Sequence, residues 1–133
     1  MIGKTDLIQE ALDARELSYS PYSNFAVGAA ILCADGSVFV GANVENSAYP
    51  LCMCAERNAL YNAMMNGKTK DDFVALAVVA DTEGPCSPCG ACRQVLSELF
   101  PPFAPIYLAN LHGDEMETTI SDLLPMAFDG SDL

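Results

Sequence analysis

The chain has 133 residues, 51% of them apolar, with 18 acidic against 6 basic side chains and a formal charge of −12. One domain over residues 1–133 fits that length, and the apolar share is enough for a core. With no basic stripe to release counterions, nucleic acid is not expected as a partner, and no apolar run reaches the roughly 18 residues of a membrane span.

Asp6–Tyr19 carries Leu7, Ile8, Ala11, Leu12 and Ala14 at helical spacing, with Thr5 or Asp6 as the expected cap. Ser20-Pro21-Tyr22-Ser23-Asn24 breaks that helix. Phe25–Cys33 is apolar and of strand length, Ala34-Asp35-Gly36-Ser37 has the Asp-Gly signature of a tight hairpin, and Val38–Ala42 returns as its second strand. After a loop over Asn43–Leu51, Cys54–Asn66 is expected as a helix, with Gly67 just past its end. Phe73–Ala80 is a continuous apolar run, the pattern of a strand buried on both faces. Asp81–Pro88 is a loop, and Cys89–Phe100 is a helix stopped by Pro101-Pro102. Ile106–Ala109 and Met116–Ile120 are expected as short strands around a turn at His112-Gly113-Asp114. Ser121 is the expected cap of a last helix over Asp122–Ala127. A hairpin followed by strand–helix alternation gives an α/β fold, a mixed sheet with helices on both faces.

Five of the six cysteines fall in two groups, Cys52-Met53-Cys54 and Cys86-Ser87-Pro88-Cys89-Gly90-Ala91-Cys92. The N-terminus has no basic region followed by an apolar one, so no export signal and a cytoplasmic location are expected. Clustered thiols in a reducing compartment read as metal ligands rather than a disulfide framework. Each group opens a helix, where unpaired N–H groups favour thiolate, the form that binds metal. Cys89 and Cys92, three positions apart, can point from one face of a first turn toward a single ion. With Cys54 they make three ligands, which leaves the fourth tetrahedral position open, as in catalytic rather than structural zinc. Glu56 stands two residues beyond Cys54, placed to carry protons beside the ion.

Alternatives remain on spacing alone. Cys86-x-x-Cys89-x-x-Cys92 could hold an ion by itself, and it resembles the start of an iron–sulfur run, although position 96 is Leu. Cys52 and Cys86 read as spectators near the metal and Cys33 as a small buried hydrophobe. His112 reads as a surface turn residue, and Arg93 and Gln94 as either solvated or bracing the site.

Cys54-Ala55-Glu56 followed by Pro88-Cys89-Gly90-Ala91-Cys92 matches the three-cysteine form of the zinc nucleoside deaminase signature. The full matching blocks stand in order: Pro21-Tyr22-Ser23-Asn24-Phe25-Ala26-Val27-Gly28-Ala29-Ala30, Asn43-Val44-Glu45-Asn46, Cys54-Ala55-Glu56-Arg57, Ser87-Pro88-Cys89-Gly90-Ala91-Cys92-Arg93-Gln94 and Leu123-Leu124-Pro125. On these the chain resembles the small homotetrameric cytidine deaminases. That resemblance implies a three-layer α-β-α fold with a mixed five-stranded sheet and one Zn2+ per subunit. It implies zinc ligands Cys54, Cys89 and Cys92, a proton shuttle at Glu56, and a ribose-binding pair at Asn43 and Glu45. Phe25 would pack on the pyrimidine, the main chain at Ala55 would meet the base edge, and Tyr49 would help build the site. Phe128 would reach into a neighbouring subunit. Three thiolates carry −3 against the ion's +2; the two helix N-termini are one candidate to offset the excess, and Arg57, able to donate to thiolate sulfur, is another. The activity implied is hydrolytic deamination of cytidine and deoxycytidine, a small nucleoside substrate, in pyrimidine salvage.

Overall fold

Phe73–Ala80 is the central strand of the protein, and every residue in it except Val74 is buried. The computed structural model describes residues 1–133. Its elements run α1 (Lys4–Arg15), β1 (Val27–Cys33), β2 (Val38–Ala42), α2 (Ala55–Met65), β3 (Phe73–Ala80), α3 (Gly90–Leu99), β4 (Ile106–Ala109), β5 (Glu115–Thr118) and α4 (Ile120–Leu123). The strands form one sheet in the order β2-β1-β3-β4-β5, in which only β3 and β4 are parallel. The chain between those two strands contains α3, the crossover that a parallel pair requires.

Alternation along the strands divides the core in two. Ala30, Leu32, Ala77 and Val79 face α1 and close over Leu7 and Ala11. Ala29, Ile31, Leu76 and Val78 face the other way, against Ala59 and Leu60 of α2 and Leu96 of α3, with Phe100 beside them. Full burial of a side chain such as Leu60 or Phe100 contributes about 2 kcal/mol or more. The layers are therefore helix, sheet, helix, as the resemblance implies. Two glycines set how closely the helices approach. A Cβ on Gly28 would lie 1.9 Å from the Ala11 carbonyl oxygen of α1, and one on Gly41 would lie 2.3 Å from the Ala59 nitrogen of α2.

Several boundaries differ from the sequence reading. Helix α1 begins at Lys4 with Gly3 as its cap; Asp6 sits at the third helical position and accepts a hydrogen bond from the Gly3 N–H at 3.4 Å. The helix ends at Arg15, because Tyr19 is drawn into pairing with the segment after β2: its N–H donates to the Asn43 carbonyl at 3.0 Å and its carbonyl accepts from Glu45 N–H at 2.8 Å. Strand β1 starts at Val27, not Phe25, since Asn24 turns the chain with φ +56. The expected strand over Met116–Ile120 is Glu115–Thr118. Thr119, not Ser121, caps the last helix, accepting from the Asp122 N–H at 3.2 Å. That helix stops at Leu123 instead of Ala127, because Leu124 precedes Pro125, which disfavours helical backbone, and Met126 then takes φ +54.

Candidate metal centre

Cys54 and Cys89 are the capping residues of α2 and α3, each with extended backbone, and neither side chain is used to cap its helix. Their sulfurs are left free to face one another. Cys92 follows in the first turn of α3 and is fully buried. The three Sγ atoms lie within 4.8 Å of one another, with Cys54 to Cys89 at 3.7 Å and Cys89 to Cys92 at 3.5 Å. Thiolates bound tetrahedrally at about 2.3 Å from zinc stand about 3.8 Å apart. The spacing therefore fits one zinc ion held by three sulfurs, and it is far too long for a disulfide; all six cysteines are free.

The electrostatics favour metal at this point. The Cys54 thiol is lowered to about 5, chiefly by the Cys92 thiol's hydrogen bond to it, with Arg57 and Cys89 adding to the effect against burial. Cys92 is pushed up by that same hydrogen bond and by burial. The Arg57 Nη2 donates to Cys54 Sγ at 3.4 Å, while its Nε is buried without a partner. Glu56, in the first turn of α2, is only 4% exposed, and burial raises its carboxyl above the usual carboxylate range, with the Cys54 charge adding to it. Raising the pKa of a carboxyl makes its protonated form easier to reach, which suits a group that must both take and give a proton.

A cavity of ≈ 190 Å³ opens beside the sulfurs. Its walls are Phe25, Val27, Asn43, Cys54, Ala55, Glu56, Cys86, Ser87 and Cys89. Phe25 is 40% exposed there, not core, because the turn at Asn24 swings it out of the strand. Asn43 is already committed to the backbone on which Phe25 sits. Its Nδ2 donates to the Phe25 carbonyl at 2.8 Å and its Oδ1 accepts from the Val27 N–H at 2.9 Å and the Ser18 hydroxyl at 2.5 Å. One N–H of the amide stays free for a ligand.

Not all the sequence-derived residues share this cavity. Glu45 and Tyr49 line a neighbouring one of ≈ 230 Å³ with Tyr22, Ser23 and Cys52. The Glu45 carboxylate accepts from the Tyr22 and Ser23 N–H groups at 3.0 and 3.1 Å and from the Ser23 hydroxyl, which holds its pKa below the ordinary value. Phe128, on the C-terminal segment, does not line the metal cavity; it is 60% exposed, with its carbonyl accepting from Gln94 Nε2 at 2.9 Å. The largest cavity, ≈ 350 Å³ between α3, α4 and that segment, holds none of the cysteines.

The spare cysteines separate by environment. Cys86 is buried in the cavity wall and its thiol is pushed up to about 11 by burial, which disfavours it as a ligand. Cys52 Sγ is turned to the Asn46 backbone, 3.3 Å from N and 3.5 Å from O. Cys33 is a core residue, and His112 is in a turn, with Nε2 3.0 Å from Asp81. Ser18 and Ser23, which brace Asn43 and Glu45, and Ser87 in the cavity wall had no chemical signal in the sequence; only proximity reveals them.

Residues 1–102 match the family model for the cytidine and deoxycytidylate deaminase zinc-binding region. The chain is 57% identical over 127 residues to a cytidine deaminase of Halalkalibacterium halodurans, covering 96% of this chain and 95% of that one. It is 56% identical to a cytidine deaminase of Sporosarcina psychrophila, covering 96% and 92%. Among solved structures, the cytidine deaminase of Burkholderia pseudomallei superposes with a TM-score of 0.94 at 52% identity, over 96% of this chain and 100% of the other. That of Mycobacterium tuberculosis gives 0.80 at 36%, over 97% and 99%.

Proposed function

The chain belongs to the cytidine and deoxycytidylate deaminase zinc-binding family, and from that premise we propose how its residues divide the work of deaminating cytidine and deoxycytidine. The reaction is hydrolytic: water adds at C4 of the pyrimidine, the exocyclic amino group leaves as ammonia, and uridine or deoxyuridine remains. Cys54, Cys89 and Cys92 would hold one zinc per subunit, which would supply a Lewis acid to the reaction.

Glu56 is the proton carrier. It takes one proton of the attacking water to N3 of the ring and the other to the departing amino group, so that atoms and charge balance. Its burial and raised pKa support this role, since the upward shift makes the protonated form easier to reach. Phe25 packs on the pyrimidine, and the main chain at Ala55 meets the base edge. Asn43, through its free N–H, and Glu45 bind the ribose; Glu45 can do so once a sugar hydroxyl displaces the Ser23 hydroxyl. Tyr49 closes that end. Arg57 offsets the excess negative charge of three thiolates through its hydrogen bond to Cys54.

We further propose that the protein is a cytoplasmic homotetramer, folded as one domain over residues 1–133, in which Phe128 completes a neighbour's site. Large apolar side chains stand exposed around the cavities, among them Tyr22, Val44, Tyr49 and Leu51, and a second copy would cover them. The observation that carries the catalytic reading is that a three-sulfur cluster reaches, through Cys54 and Cys89, the same cavity as a buried Glu56 and Phe25. The test is direct. Zinc-loaded protein mixed with cytidine should lower the ultraviolet absorbance of the pyrimidine and release ammonia in equal molar amounts. No turnover of cytidine or deoxycytidine would refute the reading, and sedimentation showing a monomer would refute the tetramer.

A further inference from the structure

Residues 85–88 have no regular structure and line the metal cavity with Cys86 and Ser87, and every hydrogen bond made to them comes from a single side chain. Arg93 Nε donates to the Pro88 carbonyl at 2.9 Å, and its Nη2 donates to the Ser87 hydroxyl at 2.6 Å. The remaining nitrogen, Nη1, donates to the Leu123 carbonyl at the end of α4, also at 2.9 Å. Each of the three nitrogens thus makes a hydrogen bond that fixes backbone or wall, and none pairs with a carboxylate. The fork is planar and rigid, so it sets the mutual placement of its three acceptors in a way that a flexible ammonium cannot.

What it fixes is consequential. Pro88 precedes Cys89, whose backbone must hold the extended capping conformation for its sulfur to face Cys54. Arg93 itself follows Cys92 on α3, so one side chain ties the segment entering the helix to the helix that carries two of the three sulfurs. The Ser87 hydroxyl, having accepted from Arg93, keeps its own proton to donate into the cavity it lines.

We propose that Arg93 is a positioning residue for the deamination: it locks the Ser87–Pro88 wall and the start of α3 to the end of α4, and thereby sets the direction of Cys89 Sγ. For its kinetic consequence this rests on the deaminase reading above; for its structural consequence it does not.

The test compares Arg93→Ala, Arg93→Lys and Ser87→Ala, each in zinc-loaded form for kinetics and in Co(II)-substituted form for visible spectroscopy. Arg93→Ala should lose about 10- to 100-fold in kcat, as expected when a reacting group is misplaced by an ångström or less. Its Co(II) ligand-field bands should shift, because one thiolate has moved. Arg93→Lys, which can restore one of the three bonds, should recover part of both. Ser87→Ala should leave the Co(II) bands in place and raise KM more than it lowers kcat. Arg93→Ala with the original kcat and bands would overturn the proposal. If Arg93→Ala does not fold, Arg93→Lys carries the test: shifted bands and lowered kcat support the proposal, and unchanged bands overturn it. If the unaltered protein does not turn over cytidine, the deaminase reading fails, while a band shift in the Arg93 variants still upholds the positioning role.

Discussion

Replacing Gly41 by alanine should disturb the metal centre by pushing the N-terminal turns of α2, which follow Cys54, off the sheet. A Cβ there would lie 2.3 Å from Ala59 N, 2.6 Å from Ala55 O and 2.8 Å from Asn58 C, all of them backbone atoms that cannot rotate away. Ordinary contact begins near 3.4 Å. The helix must therefore retreat by about 1 Å, and the cost of such overpacking is about 1–3 kcal/mol. Ala55 is adjacent to both Cys54 and Glu56, so the retreat carries a sulfur and the proposed proton carrier away from α3. A displacement of that size predicts a loss of about 10²-fold in kcat. Gly28→Ala supplies the comparison, because its Cβ would strike the Ala11 carbonyl at 1.9 Å and push α1, which packs on the other face of the sheet. Guanidinium unfolding midpoints, zinc retention against a competing chelator and kcat should be measured on both. Both variants should be destabilised, and only Gly41→Ala should weaken zinc and lower kcat by two orders of magnitude. Unaltered stability and activity in Gly41→Ala, or equal zinc loss in both, would refute the reasoning.

Glu56→Gln should keep one zinc per chain by metal analysis and lose about 10²-fold or more of turnover, since the amide cannot carry a proton; loss of the metal in a folded variant would make Glu56 a ligand instead. Arg57→Ala removes the donor to Cys54 at 3.4 Å and should weaken zinc retention and lower activity, with an unchanged affinity and pH–rate profile counting against its charge-offsetting role. Cys86, whose thiol is raised to about 11, stays neutral at pH 8, and thiolate is the reactive form. Mass spectrometry should therefore find Cys52 alkylated well before Cys86 at pH 8, with Cys86 labelling accelerating only as pH rises toward 11; equal rates at pH 8 would contradict its burial.

The sequence by itself determined the kind of chemistry. Cys54, Glu56, Cys89 and Cys92 are legible because a metal dictates ligand type and spacing, and a helix start dictates where thiolates are favoured. The strand core over Phe73–Ala80 is legible for the same local reason, an unbroken apolar run. The resemblance added the substrate. Local pattern misplaced elements wherever distant residues intervene. Phe25 reads as the start of a strand until the side chain of Asn43, 18 positions on, takes over the backbone bonds of residues 25 and 27. Tyr19 reads as helix until it pairs with Asn43 and Glu45.

Tertiary structure alone decided which sulfurs meet. Spacing left Cys52 and Cys86 as rivals, and the fold dismissed them by turning one to the Asn46 backbone and burying the other as a neutral thiol. It also assigned Arg93, whose three acceptors lie 5, 6 and 30 positions away. Ligand identity is a property of residue type and local spacing, which a sequence states outright. The direction in which each ligand points depends on how two helices are seated on one sheet, and on glycines such as Gly41 that let them approach.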